Sequence, residues 1–139
     1  MLHFVKLPSK LALTFYTSRV PAGFPSPADD HVEGRLDLNL HLIRRPASTF
    51  FVRAEGESMK EIGIFGGDIH VVDRSIAPQN NDIVIAILYG ELTVKRLKML
   101  TSKPTLSAEN AAFPDIPIDN LDCEIWGVVI HSIRHHCSR

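Results

Sequence analysis

The sequence predicts a mainly β fold, with curled, barrel-like sheets, short helices and an extended N-terminal arm. Many short apolar segments are separated by polar turns, which is typical of all-β domains. A length of 139 residues suits one domain, and 45% apolar residues are enough for a core. We therefore expect an arm over residues 1–25 and a β domain over residues 26–139.

The arm is rich in apolar residues but lacks helical spacing. Val20–Pro25 then interrupts regular structure, because prolines favour an extended backbone before them and Gly23 permits close approach of another chain. Two interpretations stay open: a substrate strand for a protease cleft, or a Pro/Gly turn between two elements.

A helix is predicted to start at Ser26, which can cap it, with Pro27 in the first position and acidic residues after it. The expected helix runs from about Pro27 to Gly34 or beyond. Leu36–Leu42 alternates like a strand, yet Leu38–Ile43 fits a short helix equally well, and periodicity does not decide between them.

Alternating and β-branched segments predict a series of strands beyond Ser48. Tyr89-Gly90 is predicted to be a hairpin turn, and Asn110–Asp122, with two prolines, a long loop. The predicted strands cover residues 49–54, 69–73, 82–88, 91–98, 104–107 and 125–134.

Composition excludes several classes of protein. A formal net charge of −1 gives no electrostatic case for direct DNA binding or for an anionic membrane surface. Two cysteines, Cys123 and Cys137, do not make a disulfide framework. The first twenty residues contain no secretory signal and no apolar run that could span a bilayer, so the expected location is the cytoplasm.

No metal or other cofactor is expected. The C-terminal residues His131, His135, His136 and Cys137 are suggestive, but they fit a frayed polar tail better than a zinc site with its required ligand geometry. Asp68, Asp73 and Asp82 each abut a predicted strand, which favours turn and hydrogen-bonding roles. Cys123 has no basic neighbour to activate it and is expected to be a packing residue.

Ser58 and Lys95 are the candidate catalytic residues. Ser58 follows a predicted strand at the start of a short helix, where free backbone N–H groups could stabilise an oxyanion; the alternative is a helix-capping serine. Lys95 lies among apolar residues that could lower its pKa by desolvation; the alternative is an exposed lysine protecting a sheet edge. A neutral lysine can deprotonate a serine.

Taken together, these motifs resemble the LexA/UmuD family of self-cleaving serine–lysine peptidases, and its UmuD-like members most closely. The resemblance covers almost the whole chain. Its residues are Gly56-Glu57-Ser58-Met59, the strand at 69–73, Lys95, Ala22-Gly23, residues 23–28 and Trp126–His131.

The resemblance implies a role for each matching residue. Ser58 corresponds to the nucleophile, Lys95 to the general base, and the backbone N–H groups of Ser58 and Met59 to the oxyanion hole. Cleavage is implied between Ala22 and Gly23. Many members have Asp where this chain has Glu57, and UmuD has Cys in place of Ala22, but neither difference affects the chemistry.

The resemblance also implies a function and partners. Only 22 residues precede Gly23, too few for the DNA-binding domain of a repressor, and the membrane anchor of a signal peptidase is missing. The implied protein is cleaved when a RecA–single-stranded DNA filament promotes the reaction during the SOS response. Its trimmed homodimer, residues 23–139, then joins a UmuC-like Y-family polymerase for error-prone translesion synthesis.

Two other functions remain open on the residues alone. One is a non-catalytic β module that binds a polymerase or the RecA filament, with the arm regulating that contact. The other is a free-standing protease that acts on other proteins.

Overall fold

A computed structural model of the chain describes residues 10–16, 32–56, 58–99, 103–118 and 123–139. The chain divides into two compact units, Met1–Arg44 and Arg45–Arg139. The predicted end of the arm after residue 25 lies outside the described residues and stays a prediction. Within the described part of the chain, no helix combines the length and apolar character needed to cross a membrane.

The N-terminal unit contains a two-stranded antiparallel sheet, in which β1 (Leu13–Tyr16) pairs with β2 (Val32–Leu36). The guanidinium of Arg35 donates to the Ala12 carbonyl at 2.8 Å, which fastens the two strands further. The predicted helix from about Pro27 to Gly34 is wrong over residues 32–34, which belong to β2. These residues form a strand because β1 supplies hydrogen-bond partners for their backbone, which local sequence signals do not reveal.

The open choice after Leu36 is resolved as a helix, α1 (Leu38–Leu42). Asp37 caps it by accepting a hydrogen bond from the Asn39 backbone N–H at 3.0 Å.

The C-terminal unit is one antiparallel sheet of seven strands in the order β3-β4-β9-β5-β6-β7-β8. The mainly β prediction is confirmed, and the expected barrel-like curl takes the form of an open sheet rather than a closed barrel. The strands are β3 (Thr49–Arg53), β4 (Ile69–Asp73), β5 (Ile83–Leu88), β6 (Glu91–Lys98), β7 (Thr105–Ser107), β8 (Ile116–Pro117) and β9 (Cys123–Ile133).

The last strand, β9, lies in the interior of this sheet and pairs with both β4 and β5. Its Gly127 lies against β4, where a Cβ atom would meet Val72 Cγ1 at 2.6 Å, so only glycine fits without a shift of the neighbouring strand. The main buried cluster packs on β5, β6, β7 and β9 and consists of Val84, Ala86, Leu97, Leu106 and Val128. This sheet supports the loops that form the candidate site.

Candidate active site

A cleft of about 270 Å³ opens beside the end of β3. Its walls come from β3, the turn that follows it, and the start of β6, so residues distant in sequence meet there. The lining residues are Val52, Arg53, Ala54, Glu55, Gly56, Ser58, Met59, Ile64, Ile85, Leu92, Thr93 and Val94. The cleft thus combines apolar walls with the hydroxyl of Ser58.

Ser58 lies in a turn between β3 and a short 3₁₀ helix, Lys60–Ile62. The chain reverses at Gly56, whose φ of 81° lies in the left-handed region that favours glycine. The helix predicted to begin at Ser58 is therefore a turn, and a 3₁₀ helix begins two residues later, at Lys60. Ser58 itself is partly buried and faces the cleft.

The backbone N–H groups of Ser58 and Met59 donate no hydrogen bond to any other described residue. Donors of this kind at a turn can stabilise a negative charge that develops on a carbonyl oxygen. The carbonyl of Met59, by contrast, is occupied: it accepts from the Ile62 and Ile64 backbone N–H groups at 3.3 and 3.2 Å. The Met59 carbonyl thus fixes the turn, while the N–H groups of Ser58 and Met59 are left as hydrogen-bond donors.

Met59 anchors this turn. Its side chain is 2% exposed, and its sulfur accepts the backbone N–H of Glu109 at 3.4 Å. A buried, adaptable thioether at this position fixes the backbone next to Ser58.

Lys95 is buried in the middle of β6, with 7% of its surface exposed, and pairs across the sheet with Val84. Burial lowers the pKa of the Lys95 amine, because the charged form loses hydration. Its Nζ lies 5.8 Å from the centroid of the Phe113 ring. Among the described residues it has no hydrogen-bond or salt-bridge partner. The alternative of an exposed edge lysine is wrong, because β6 is an interior strand flanked by β5 and β7.

The structure brings Ser58 and Lys95 to neighbouring parts of the C-terminal unit without joining them. Thr93 and Val94 line the cleft, whereas Lys95 does not, and no hydrogen bond links Ser58 to Lys95 within the described residues. Ala22, Gly23 and Glu57 lie outside the described residues, so the predicted cleavage site stays a prediction.

Other sequence predictions concerned carboxylates. Asp68 accepts from the Phe65 backbone N–H at 3.0 Å, and Asp82 accepts from the Gln79 backbone N–H at 2.8 Å. Asp73 accepts from the Ser75 backbone N–H at 2.9 Å. Their predicted turn and hydrogen-bonding roles are confirmed.

Sequence reasoning missed a buried polar pair in the sheet. His70 on β4 is fully buried, and its Nδ1 lies 2.8 Å from the Ser132 hydroxyl on β9, while its Nε2 has no hydrogen-bond partner among the residues that the structure describes. Burial lowers the pKa of His70, and the nearby Asp68 opposes that shift. Nothing in the sequence near either residue indicates the pairing, since 62 positions separate them.

His135, His136 and Cys137 lie in an irregular, exposed segment, whereas the predicted tail is wrong for His131, which lies in β9 opposite Val71. Within the described ranges, no group of three or more His, Cys, Asp or Glu side chains converges in a way that could hold a metal ion.

Comparison with known proteins gives this geometry a family context. The family model described as Peptidase S24-like matches residues 14–130. Protein SamA of Salmonella typhimurium is 50% identical over 130 residues, which cover 91% of this chain and 91% of SamA. Protein ImpA of the same species is 50% identical over 121 residues, covering 86% of this chain and 81% of ImpA.

Protein MucA of Escherichia coli is 43% identical over 127 residues, covering 90% of this chain and 86% of MucA. These matches extend over nearly the full chain and agree with the resemblance carried by the motifs around Ser58 and Lys95. The chain therefore belongs to the peptidase S24-like family, among its UmuD-like members.

Proposed function

We propose that this protein is a self-cleaving serine–lysine peptidase that cuts its own N-terminal arm between Ala22 and Gly23. The observation that carries the proposal is Ser58, which lines the cleft on a turn whose neighbouring backbone N–H groups have no described partner. The desolvated amine of Lys95, in a strand whose preceding residues line the same cleft, supplies the base.

In the proposed reaction, neutral Lys95 takes the proton of Ser58 as the hydroxyl oxygen attacks the carbonyl carbon of Ala22. The Ser58 and Met59 N–H groups stabilise the oxyanion. Collapse breaks the peptide bond, the proton passes to the Gly23 amine, and an ester joins Ser58 to Ala22. Water then hydrolyses the ester and regenerates the hydroxyl.

The Ser58 hydroxyl and the Lys95 amine must approach each other before the proton can be transferred. Catalytic hydrogen bonds are often long before substrate is bound and shorten in the reactive complex. We propose that docking of the extended arm excludes water and draws the Ser58 turn and Lys95 together. Cleavage without an activator is then slow, because most molecules hold the uncoupled arrangement and a charged lysine.

Self-cleavage without an activator should accelerate as pH rises from about 7 to about 10, because the neutral fraction of Lys95 increases. Purified protein incubated across this range and analysed on gels measures the rate. Ser58→Ala and Lys95→Ala should each abolish the product that begins at Gly23, while their circular dichroism stays that of the parent. A flat pH profile, or the same product from either variant, would refute the assignment.

The cellular role that we propose follows the UmuD-like relatives. A RecA filament on single-stranded DNA promotes the cut in the cytoplasm, and the trimmed homodimer joins a UmuC-like Y-family polymerase in error-prone translesion synthesis. Intact mass after incubation with activated RecA tests the first step. Loss of residues 1–22 supports the peptidase. An unchanged mass, together with retained polymerase binding, would instead indicate a non-catalytic interaction module.

A free-standing protease makes a different prediction from a self-cleaving one. It would cut an added peptide containing the Ala-Gly bond with many turnovers, which we do not expect. The number of added peptide molecules cut by each protein molecule distinguishes the two: more than one indicates a free-standing protease.

A further inference from the structure

The segment Glu109–Phe113 is fastened at one end to the turn that carries Ser58. The Glu109 carbonyl accepts the Glu61 backbone N–H at 2.9 Å, and the Glu61 carboxylate accepts the Ala111 backbone N–H at 3.1 Å. These bonds add to the contact between Glu109 and the sulfur of Met59. The segment and the 3₁₀ helix after Ser58 are therefore locked together by reciprocal hydrogen bonds.

At its other end, the segment places an aromatic ring near Lys95. Asn110 is buried, its side-chain oxygen accepts the Ala112 backbone N–H at 3.1 Å, and its carbonyl accepts the Phe113 backbone N–H at 3.0 Å. This compact turn holds the Phe113 ring 5.8 Å from Lys95 Nζ, while 44% of the residue remains exposed. One short segment thus contacts Met59, the residue next to Ser58, and places a ring near Lys95.

A second link fixes the segment to the strand of Lys95. The Glu109 carboxylate forms a salt bridge with Arg96, the residue that follows Lys95 on β6. Arg96 also donates to the Asn81 carbonyl at 2.8 Å, so its guanidinium has a defined position. Movement of the segment would therefore disturb contacts on the β6 side as well as on the Ser58 side.

We propose that Phe113 is a positioning residue for self-cleavage. Its ring shields the Lys95 amine from water, and the segment Glu109–Phe113 fixes the position of the ring relative to the turn that carries Ser58. The inference rests on the proposed function for its catalytic consequence. Its physical content, which is control of the hydration of Lys95, can be tested without any cleavage.

The ring has two opposing effects on the amine. An aromatic face attracts a cation at this distance, which favours charged Lys95. The same ring displaces water, which favours neutral Lys95. Burial lowers the pKa of Lys95, which is the direction that displacement of water by the ring predicts.

Charges on the neighbouring elements do not account for the lowered pKa of Lys95. β5 and β7, which flank β6, contain no ionisable residue. The other ionisable side chains of β6 are Glu91, Arg96 and Lys98, and those of the 3₁₀ helix and of the segment are Lys60, Glu61 and Glu109. Arg96 and Glu109 neutralise one another, and Lys98 donates to the Asn81 side chain at 2.8 Å. Desolvation is the cause of the lowered pKa of Lys95.

Two substitutions separate shielding from attraction. Phe113→Ala admits water and should move the Lys95 titration to higher pH by about 0.5 to 1 unit, with a several-fold slower cut near pH 8. Phe113→Leu keeps the apolar volume without the aromatic face, so its titration should stay with the parent or move to lower pH. Phe65→Ala is the matched control, because it removes a ring that lies 4.1 Å from a different cation, Arg134.

The titration is read from the side-chain NMR resonances of Lys95 in full-length protein carrying Ser58→Ala, which cannot consume itself. The proposal predicts an upward shift for Phe113→Ala, none or a downward shift for Phe113→Leu, and none for Phe65→Ala. A titration that stays in place or moves down in Phe113→Ala would overturn it. A purely structural role would slow cleavage equally at every pH and leave the titration where it was.

Failure of this inference is distinguishable from failure of the proposed function. If the titration shifts as predicted but parent protein never yields a product beginning at Gly23, the shield is real and the peptidase assignment is wrong. If parent protein cleaves and Ser58→Ala does not, but Phe113→Ala leaves the Lys95 titration in place, the peptidase stands and the role of Phe113 is wrong.

Discussion

Asp73 and Lys95 are both buried ionisable residues on strands of one sheet, yet their surroundings are opposite. Asp73 accepts hydrogen bonds from Ser48 and Ser75 and forms a salt bridge with Arg45 at 3.1 Å. Burial alone would raise the pKa of Asp73, but these donors outweigh it and hold the pKa well below its usual range. Lys95 has an aromatic ring beside it and no described polar partner.

This difference separates a charge that supports the fold from one that the fold makes reactive. A buried carboxylate surrounded by donors is stable only as the anion, so it resists protonation and fixes the loop after β4. A buried amine without such partners is destabilised as the cation, which brings its neutral form within reach. A buried amine of this kind is expected to lower the free energy of unfolding relative to an apolar side chain at the same position.

Replacing the carboxylate should have the largest effect. Asp73→Asn removes the charge and turns two acceptors into one, so donors from Ser48, Ser75 and Arg45 lose partners. We expect the free energy of unfolding to fall by about 3 kcal/mol. Urea titration at one protein concentration measures it.

Asp115→Asn is the control for that measurement, because Asp115 is exposed and accepts from the Ser107 hydroxyl at 2.9 Å. Its effect should stay within about 0.5 kcal/mol. Equal losses in the two variants would contradict the idea that the donors around Asp73 stabilise the fold.

Lys95→Met should act in the opposite direction. A methionine fills a similar volume without a desolvated charge, so stability should rise by about 1 kcal/mol while self-cleavage is lost. Lys98→Met is the control: Lys98 already donates to Asn81, and we expect no gain in stability and continued cleavage. A large loss of stability in Lys95→Met would show that the amine has a structural role.

His70 gives an intermediate case: one ring nitrogen lies near Ser132, and the other has no hydrogen-bond partner in the described part of the chain. Its pKa is lowered in the fold, so the unfolded chain takes up a proton at a higher pH than the folded chain does. Stability should therefore fall as pH drops below about 6.5, by at most about 1.4 kcal/mol per pH unit.

Urea titrations between about pH 7 and pH 5 measure this slope above the range in which Asp68 takes up a proton. Arg134 and burial act in opposite directions on Asp68, and the net effect lowers its pKa. His70→Leu should flatten the slope, whereas His135→Ala in the exposed tail should keep it. An unchanged slope in His70→Leu would assign the acid sensitivity to other groups.

The central strands of the fold could be predicted because their signals are local. The strands at 69–73 and 83–88 and the Tyr89-Gly90 turn are predicted correctly, because the strands are rich in β-branched residues and a Gly follows the second strand at the turn. The pairing of β1 with β2 could not be predicted, because it depends on contacts between residues 13–16 and 32–36 that no short window contains.

The candidate site shows the same division. The sequence predicts Ser58 and Lys95 through their local surroundings together with the family resemblance, but it predicts only a long loop over residues 110–122, which include most of the segment next to them. Asn110 and Phe113 follow no periodic pattern, and their positions depend on hydrogen bonds that their neighbours Glu109 and Ala111 make to Met59 and Glu61, fifty residues earlier. Such tertiary contacts have no signature in local composition.

The position of β9 has a consequence for biosynthesis. The strand between β4 and β5 is the one translated last, so a nascent chain lacks the element that unites its two groups of strands until residues 123–133 have left the ribosome. Until then, the β3–β4 pair and the strands from β5 onward have no common partner. Completion of the seven-stranded sheet therefore has to follow the synthesis of β9.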